Sequence, residues 1–155
     1  MQGNQKVIDG LNTLLGYELA AMDQYFVHSQ MYLDWGLHKL YERINHEFDD
    51  EKGHATKLIE RMLFLGGTPD MVTRVGYQMG KDVPEMLKSD LRVEYEVADK
   101  LREVISLAET EKDFVTRDML MILLDDTEMD HAHWLEQQLG LIDRLGLPNY
   151  LQSQI

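Results

Sequence analysis

Cysteine is missing from all 155 residues, which excludes disulfides, thiolate metal sites and a rubredoxin-type iron centre. Positive charge is scarce: 15 Lys and Arg stand against 28 Asp and Glu, for a formal net charge of −13. That balance argues against nucleic acid and against an anionic membrane surface, and it suits a protein that attracts cations. No apolar run approaches the ~18 residues of a membrane span, and Met1-Gln2-Gly3-Asn4-Gln5 lacks the basic-then-apolar start of a secretion signal. A soluble, cytoplasmic chain is the expectation. Nor does any stretch read as a series of strands. With 44% hydrophobic residues, the chain supports one substantial core, and residues 1–155 read as a single domain.

What is present is helical periodicity in four long stretches. The first runs from about Asn4 to Asp34, with a stripe through Leu11, Leu14, Leu15, Met22, Tyr25 and Tyr32, and breaks at Trp35-Gly36. The second runs from about His38 to Leu65, carries Tyr41, Ile44, Phe48, Leu58 and Met62 on one face, and stops at Gly66-Gly67. The third opens with Asp82-Val83-Pro84-Glu85, where Asp82 caps, Pro84 suits the first turn and Glu85 completes a capping-box pattern. Its stripe is Leu87, Leu91, Ala98, Leu101, Ile105 and Ala108. The fourth runs from about Asp113 to Leu145 through Met121, Leu124, Leu135 and Ile142, and ends at Gly146. Pro148 to Ile155 reads as a short fifth helix. Tight turns make the first and second helices, and the third and fourth, antiparallel couples. The segment from Gly66 to Lys81 is long enough, at ~3.3 Å per residue, to travel the length of a ~40 Å helix. The expected fold is therefore all-α: two hairpins joined by a long crossover, a four-helix bundle with a short C-terminal fifth helix.

Two sets of residues interrupt the apolar stripes at nearly the same interval. Glu18 is followed 33 positions later by Glu51-Lys52-Gly53-His54, and Glu94 is followed 34 positions later by Glu128-Met129-Asp130-His131. The two ends of Glu-x-x-His share one helix face, because residues three apart are neighbours there. Glu18 and His54 are each 18 positions from Gly36, so the first hairpin brings them to one level, about 27 Å from its turn at 1.5 Å per residue. Glu94 and His131 likewise straddle a turn at Lys112-Asp113. Carboxylates buried without partners are very costly. Divalent metal removes that cost, so the four carboxylates and two imidazoles are read as a site for a pair of iron or manganese ions. Asp130-x-x-His133 has similar spacing but lies on a rotated face, and is read as surface.

A lone Glu followed by Glu-x-x-His, written twice, resembles the known signature of ferritin-like di-iron proteins. Over nearly its whole length the chain resembles a bacterioferritin, in "LNTLLGYELAAMDQYF", "NHEFDDEKGHATKLIERMLFLGG", "MLKSDLRVEYE", "DFVTRD" and the tail "NYLQSQI". The resemblance implies a ferroxidase centre of Glu18, Glu51, His54, Glu94, Glu128 and His131. Glu51 and Glu128 would bridge two irons, with Glu18 and His54 completing one ion and Glu94 and His131 the other. It further matches His46 and Asp50 to an inner-surface iron site, and Tyr25 to a tyrosine credited with supplying an electron. Read as residues alone, His46 and Asp50 are an i,i+4 surface pair and Tyr25 a core aromatic. One position departs from the pattern: the methionine by which bacterioferritins hold haem, immediately after the bridging Glu of the second helix, is Lys52. An ammonium cannot replace a thioether on iron, so haem b is not expected on this subunit alone. The chain is more similar to the haem-free bacterial ferritins of that family. The last Glu-x-x-His also sits one residue later than in haem-binding relatives, which allows for a local helix irregularity.

The function these features imply is oxidation of Fe(II) to Fe(III) with O2 at a di-iron centre inside one subunit, with ferric mineral stored in a hollow shell. The resemblance implies twenty-four subunits, either all of this chain or mixed with a haem-binding paralogue, and a ferredoxin as candidate reductant. Two alternatives stay open. The chain could be a structural, haem-less subunit of a mixed shell. The same ligands could also serve another di-metal redox enzyme, such as a manganese catalase or a peroxide reductase. A miniature ferritin of the starved-cell type is disfavoured, because its ligands lie between subunits.

Overall fold

A computed structural model describes all residues, 1–155. It is all-α: α1 (Gln5–Asp34), α2 (His38–Phe64), α3 (Val83–Thr110), α4 (Phe114–Asp126), a π-helical turn (Thr127–Ala132), α5 (His133–Leu145) and α6 (Leu147–Ser153). Helical dihedrals continue through the π turn, at −59°/−44° for Thr127 and −61°/−43° for His133. α4, the π turn and α5 thus form one rod, the fourth helix of a bundle. No helix is long and apolar enough to cross a membrane.

Local chemistry sets the ends. Asn4 caps α1, its side chain accepting from the amides of Lys6 (2.8 Å) and Val7 (3.4 Å). Asp82 caps α3 by accepting from the Glu85 amide at 2.9 Å, and Asp113 caps α4 by accepting from Thr116 at 3.0 Å. Gly36 turns the chain between α1 and α2 at φ 76°, where a side chain would be strained. The fifth helix expected over Pro148–Ile155 is α6, and its buried Tyr150 donates to Gln138 Oε1 at 2.8 Å.

The segment between α2 and α3 climbs beside α1, and its contacts record the path. Asn12 Nδ2 donates to the Thr68 carbonyl (3.0 Å), Val75 N–H to that of Gly16 (3.4 Å), Arg74 pairs with Asp23 (2.7 Å), and Gly80 N–H donates to His28 Nε2 (3.2 Å). These contacts span α1 from Asn12 to His28. The long crossover is real, and it returns the chain to the level of His28 before α3 descends. At its end a Cβ on Gly80 would stand 2.4 Å from the Met86 nitrogen, so only glycine fits.

The core has two apolar parts. One gathers Leu11, Leu14, Leu15, Leu58, Leu101 and Leu120; the other gathers Tyr25, Tyr32, Leu40, Ile44, Leu87 and Tyr150. Each fully buried leucine contributes roughly 1.5–3 kcal/mol. The fourth rod departs from the expected stripe. Leu120 and Leu123 are buried, whereas Met121 is exposed. Reading backwards from Leu135 at α-helical spacing misplaces this face, because the π turn adds a residue in between.

Candidate metal centre

Glu18, Glu51, His54, Glu94 and His131 come from all four rods of the bundle, and each is at most 5% exposed. Glu51 lies at their centre. Its Oε2 stands 3.3 Å from His54 Nδ1 and its Oε1 2.8 Å from His131 Nδ1. Glu18 Oε2 is 3.7 Å from the first of these nitrogens, and Glu94 Oε1 is 3.4 Å from the second. Two three-residue nests result, Glu18–Glu51–His54 and Glu94–Glu51–His131, each with its donor atoms within 4.8 Å of one another. They share one carboxylate. The two imidazoles lie nearly parallel, 5.6 Å between centroids and 20° between planes.

The donor atoms fit a pair of divalent cations. Both oxygens of Glu18, one each of Glu51 and Glu94, and both Nδ1 atoms are buried without a hydrogen-bond partner. Orphaned atoms of this kind are rare, and these six belong to the five residues of the two nests. Oxygen and imidazole donors suit iron, manganese or zinc. In the absence of metal, protons neutralise the cage. Burial and the neighbouring Glu51 carboxylate push Glu18 well above the usual range, and the same two causes raise Glu94 to about 7. Burial opposes charge on the imidazoles, yet the adjoining carboxylates of Glu18 and Glu51 raise His54 to about 11, and those of Glu47, Glu51 and Glu94 raise His131 further. Burial alone would lift Glu51, but Glu18, His131 and His54 against its carboxylate hold it well below the ordinary value.

Glu128 lies elsewhere. Its carboxylate is 42% exposed and pairs with Arg102 at 2.5 Å, on the outer surface of the bundle. The π turn explains the displacement. With bonds from i to i+5, a turn takes between four and five residues, so the position facing inward with His131 is no longer three residues before it. Thr127 is buried there, with its hydroxyl unpartnered, and Asp126 comes beside the cage. Asp126 Oδ2 approaches His54 Nε2 to 2.6 Å and His131 Nε2 to 3.8 Å. The Glu128 expected as a bridge therefore sits outside, in contact with none of the other five.

Tyr25 is buried, and its hydroxyl donates a short hydrogen bond to Glu94 Oε1. His46 and Asp50 meet at 3.3 Å, and Asp50 Oδ2 also lies 3.3 Å from His131 Nε2. Asp50 therefore links the exposed His46 to the cage. Asp130 pairs with Arg43 at 3.0 Å, and His133 is exposed, with Glu136 at 4.0 Å; the two form no common site. Lys52 is exposed on α2.

Two acidic residues went unread in the sequence. Glu47 is 2% exposed, lies 2.7 Å from His131 Nε2 and is held by an ion pair with Arg43. Its place four residues before Glu51, on one helix face, was the available signal. Asp126 is announced only by the interval of 34 where the first hairpin has 33. With Asp50 and Asp130, Glu47 forms a third acidic group around the outer edge of His131.

The ferritin-like domain pattern matches residues 8–145, nearly the whole bundle. The chain belongs to the ferritin-like family. Its likeness extends over full length to proteins named bacterial ferritin: 59% identity to that of Pseudomonas aeruginosa, over the whole of both chains. The bacterial ferritin of Synechocystis sp. is 56% identical, across all of this chain and 99% of the relative. The bacterioferritin of Mycobacterium avium is 37% identical over 150 residues, covering 97% of this chain and 94% of its own. Within the ferritin-like family the chain is thus of the bacterial ferritin and bacterioferritin type.

Proposed function

We propose that this chain is the ferroxidase subunit of an iron-storing shell, oxidising Fe(II) with O2 at the cage around Glu51. The observation that carries the reading is the pair of nests sharing one buried carboxylate, with orphaned oxygen and nitrogen donors on both sides. Two ferrous ions held together supply two electrons, so dioxygen with two protons leaves as peroxide and no one-electron-reduced oxygen is set free. Glu18 and His54 hold one substrate ion, Glu94 and His131 the other, and Glu51 contributes one oxygen to each. Loading displaces the protons that neutralise the empty cage. Tyr25 is a candidate for a further electron, since its hydroxyl touches a ligand of the second ion. His46 and Asp50 lie on the path from the cage to the surface that would face stored mineral.

Family membership supports a hollow assembly of twenty-four copies in the cytoplasm, emptied by an external reductant such as a ferredoxin. A second reading, a haem-less partner in a mixed shell, is favoured by Lys52 alone; five converging donors in one subunit speak for catalysis. Anaerobic loading of purified protein with Fe(II), followed by oxygen, tests the proposal. Wild type is expected to form Fe(III) much faster than iron in buffer, and Glu51→Ala, which strips a donor from both nests, to lose that acceleration. Equal rates for the two proteins would overturn it.

A further inference from the structure

Each imidazole of the cage has a second edge, and that edge is occupied by a carboxylate the sequence did not reveal. Asp126 Oδ2 lies 2.6 Å from His54 Nε2, and Glu47 Oε2 lies 2.7 Å from His131 Nε2. The first is a charge-assisted hydrogen bond; the second is an ion-pair contact, and the hydrogen bond at His131 Nε2 is made with Asp50 Oδ2 at 3.3 Å. The inner edges, the Nδ1 atoms, face Glu51, Glu18 and Glu94. Building on the proposed metal cage, we propose that Asp126 and Glu47 are positioning residues that fix which nitrogen of each ring is free for metal.

A neutral imidazole carries one proton, and the hydrogen bond made by one nitrogen decides which nitrogen keeps it. A carboxylate oxygen accepting from Nε2 keeps the proton there, as Asp126 does for His54, and the Glu47 and Asp50 oxygens set against His131 Nε2 favour the same tautomer. Nδ1 then presents its lone pair inward. The two outer carboxylates also stop ring rotation, which keeps the stacked rings aimed at the two sides of Glu51.

The supports of the two carboxylates differ. Glu47 is buried and gripped by Arg43, whose guanidinium also holds Asp130 and lies 4.8 Å from the Trp134 ring centroid. Asp126 is 39% exposed and owes its position to the π turn, which carries Glu128 outward and swings Asp126 toward His54.

Co(II) is a suitable probe, because its visible bands report binding without oxidation chemistry. Metal-free assembled protein is titrated with Co(II), and ion positions are read from anomalous scattering of soaked crystals. Wild type should bind two ions per chain; failure to do so would reject the cage itself, a result distinct from any effect of the variants. Asp126→Ala should weaken the ion beside Glu18 and His54 by about 10–100-fold while leaving the other unchanged. Glu47→Ala should do the reverse. Asp126→Asn is isosteric and should weaken the same ion, since its amide can donate to Nε2 and trap the proton on Nδ1, whereas Asp126→Glu should restore part of the affinity. Two ions bound as in wild type by Asp126→Ala and Asp126→Asn, or both ions weakened equally by either, would overturn the assignment.

Discussion

Loading the cage with metal should release more than two protons per subunit at pH 7, more than a site built of ionised carboxylates and neutral imidazoles would release. The count follows from the structure. Two protons come from His54 and His131, both raised above neutrality by the carboxylates around them. About half of one comes from Glu94 at about 7, and Glu18, raised by burial and by Glu51, adds to the count. Glu51 gives none, because it is already ionised. Zinc, which does not oxidise, is the ion to use. Calorimetric titration in buffers of different ionisation enthalpy reads the number directly. The dependence on pH has a definite sign: affinity rises with pH, with a slope that lessens by one as pH climbs through about 7, where Glu94 ionises. Stability of the metal-free protein moves the other way. Glu94 is raised from 4.5 to about 7 and His54 from 6.5 to about 11, so their contributions are complete below the lower values and are lost as pH climbs through the higher ones. Metal-free Tm should therefore fall between pH 5 and pH 9, and zinc should remove that fall. Release of one proton or none would refute the charge arrangement described for the empty cage.

Further outcomes follow from particular contacts. Glu128→Ala, which removes only a surface pair with Arg102, should change Co(II) affinity by less than about threefold, whereas Glu51→Ala should abolish binding of both ions. Tyr25→Phe should keep both ions but alter oxidation after the first turnover, as seen by stopped-flow absorbance; unchanged later turnovers would remove Tyr25 from the chemistry. Leu58→Ala deletes a fully buried side chain and should cost about 2–5 kcal/mol in chemical denaturation of the subunit, against under about 0.5 for Lys57→Ala on the exposed face.

Much of this was legible because α-helical spacing carries phase reliably over long distances. Glu18, Glu51 and His54 were located from the first hairpin, where α1 and α2 contain no irregularity. Asp82 and Asp113 cap their helices through chemistry local to a few residues, so those starts were readable as well. The fourth rod broke the rule. Counting 33 positions from Glu94 reaches Thr127, which is buried; counting to the next glutamate reaches Glu128, which is outside. Sequence pattern favoured the residue with the right chemistry, and backbone geometry the residue with the right phase. The same shift hid the inward turn of Leu120 and Leu123. Glu47 and Asp126 escaped for another reason: they meet the outer edges of imidazoles, and which ring edge faces which element depends on side-chain rotamers that no spacing rule contains.

The most direct test of the account is anomalous diffraction from crystals of the intact protein soaked in Mn(II). Two peaks are predicted inside each subunit, about 3.5–4 Å apart and astride Glu51, one against Glu18 and His54 and the other against Glu94 and His131. A single peak, or manganese found only beside His46 and Asp50 with nothing at Glu51, would contradict it.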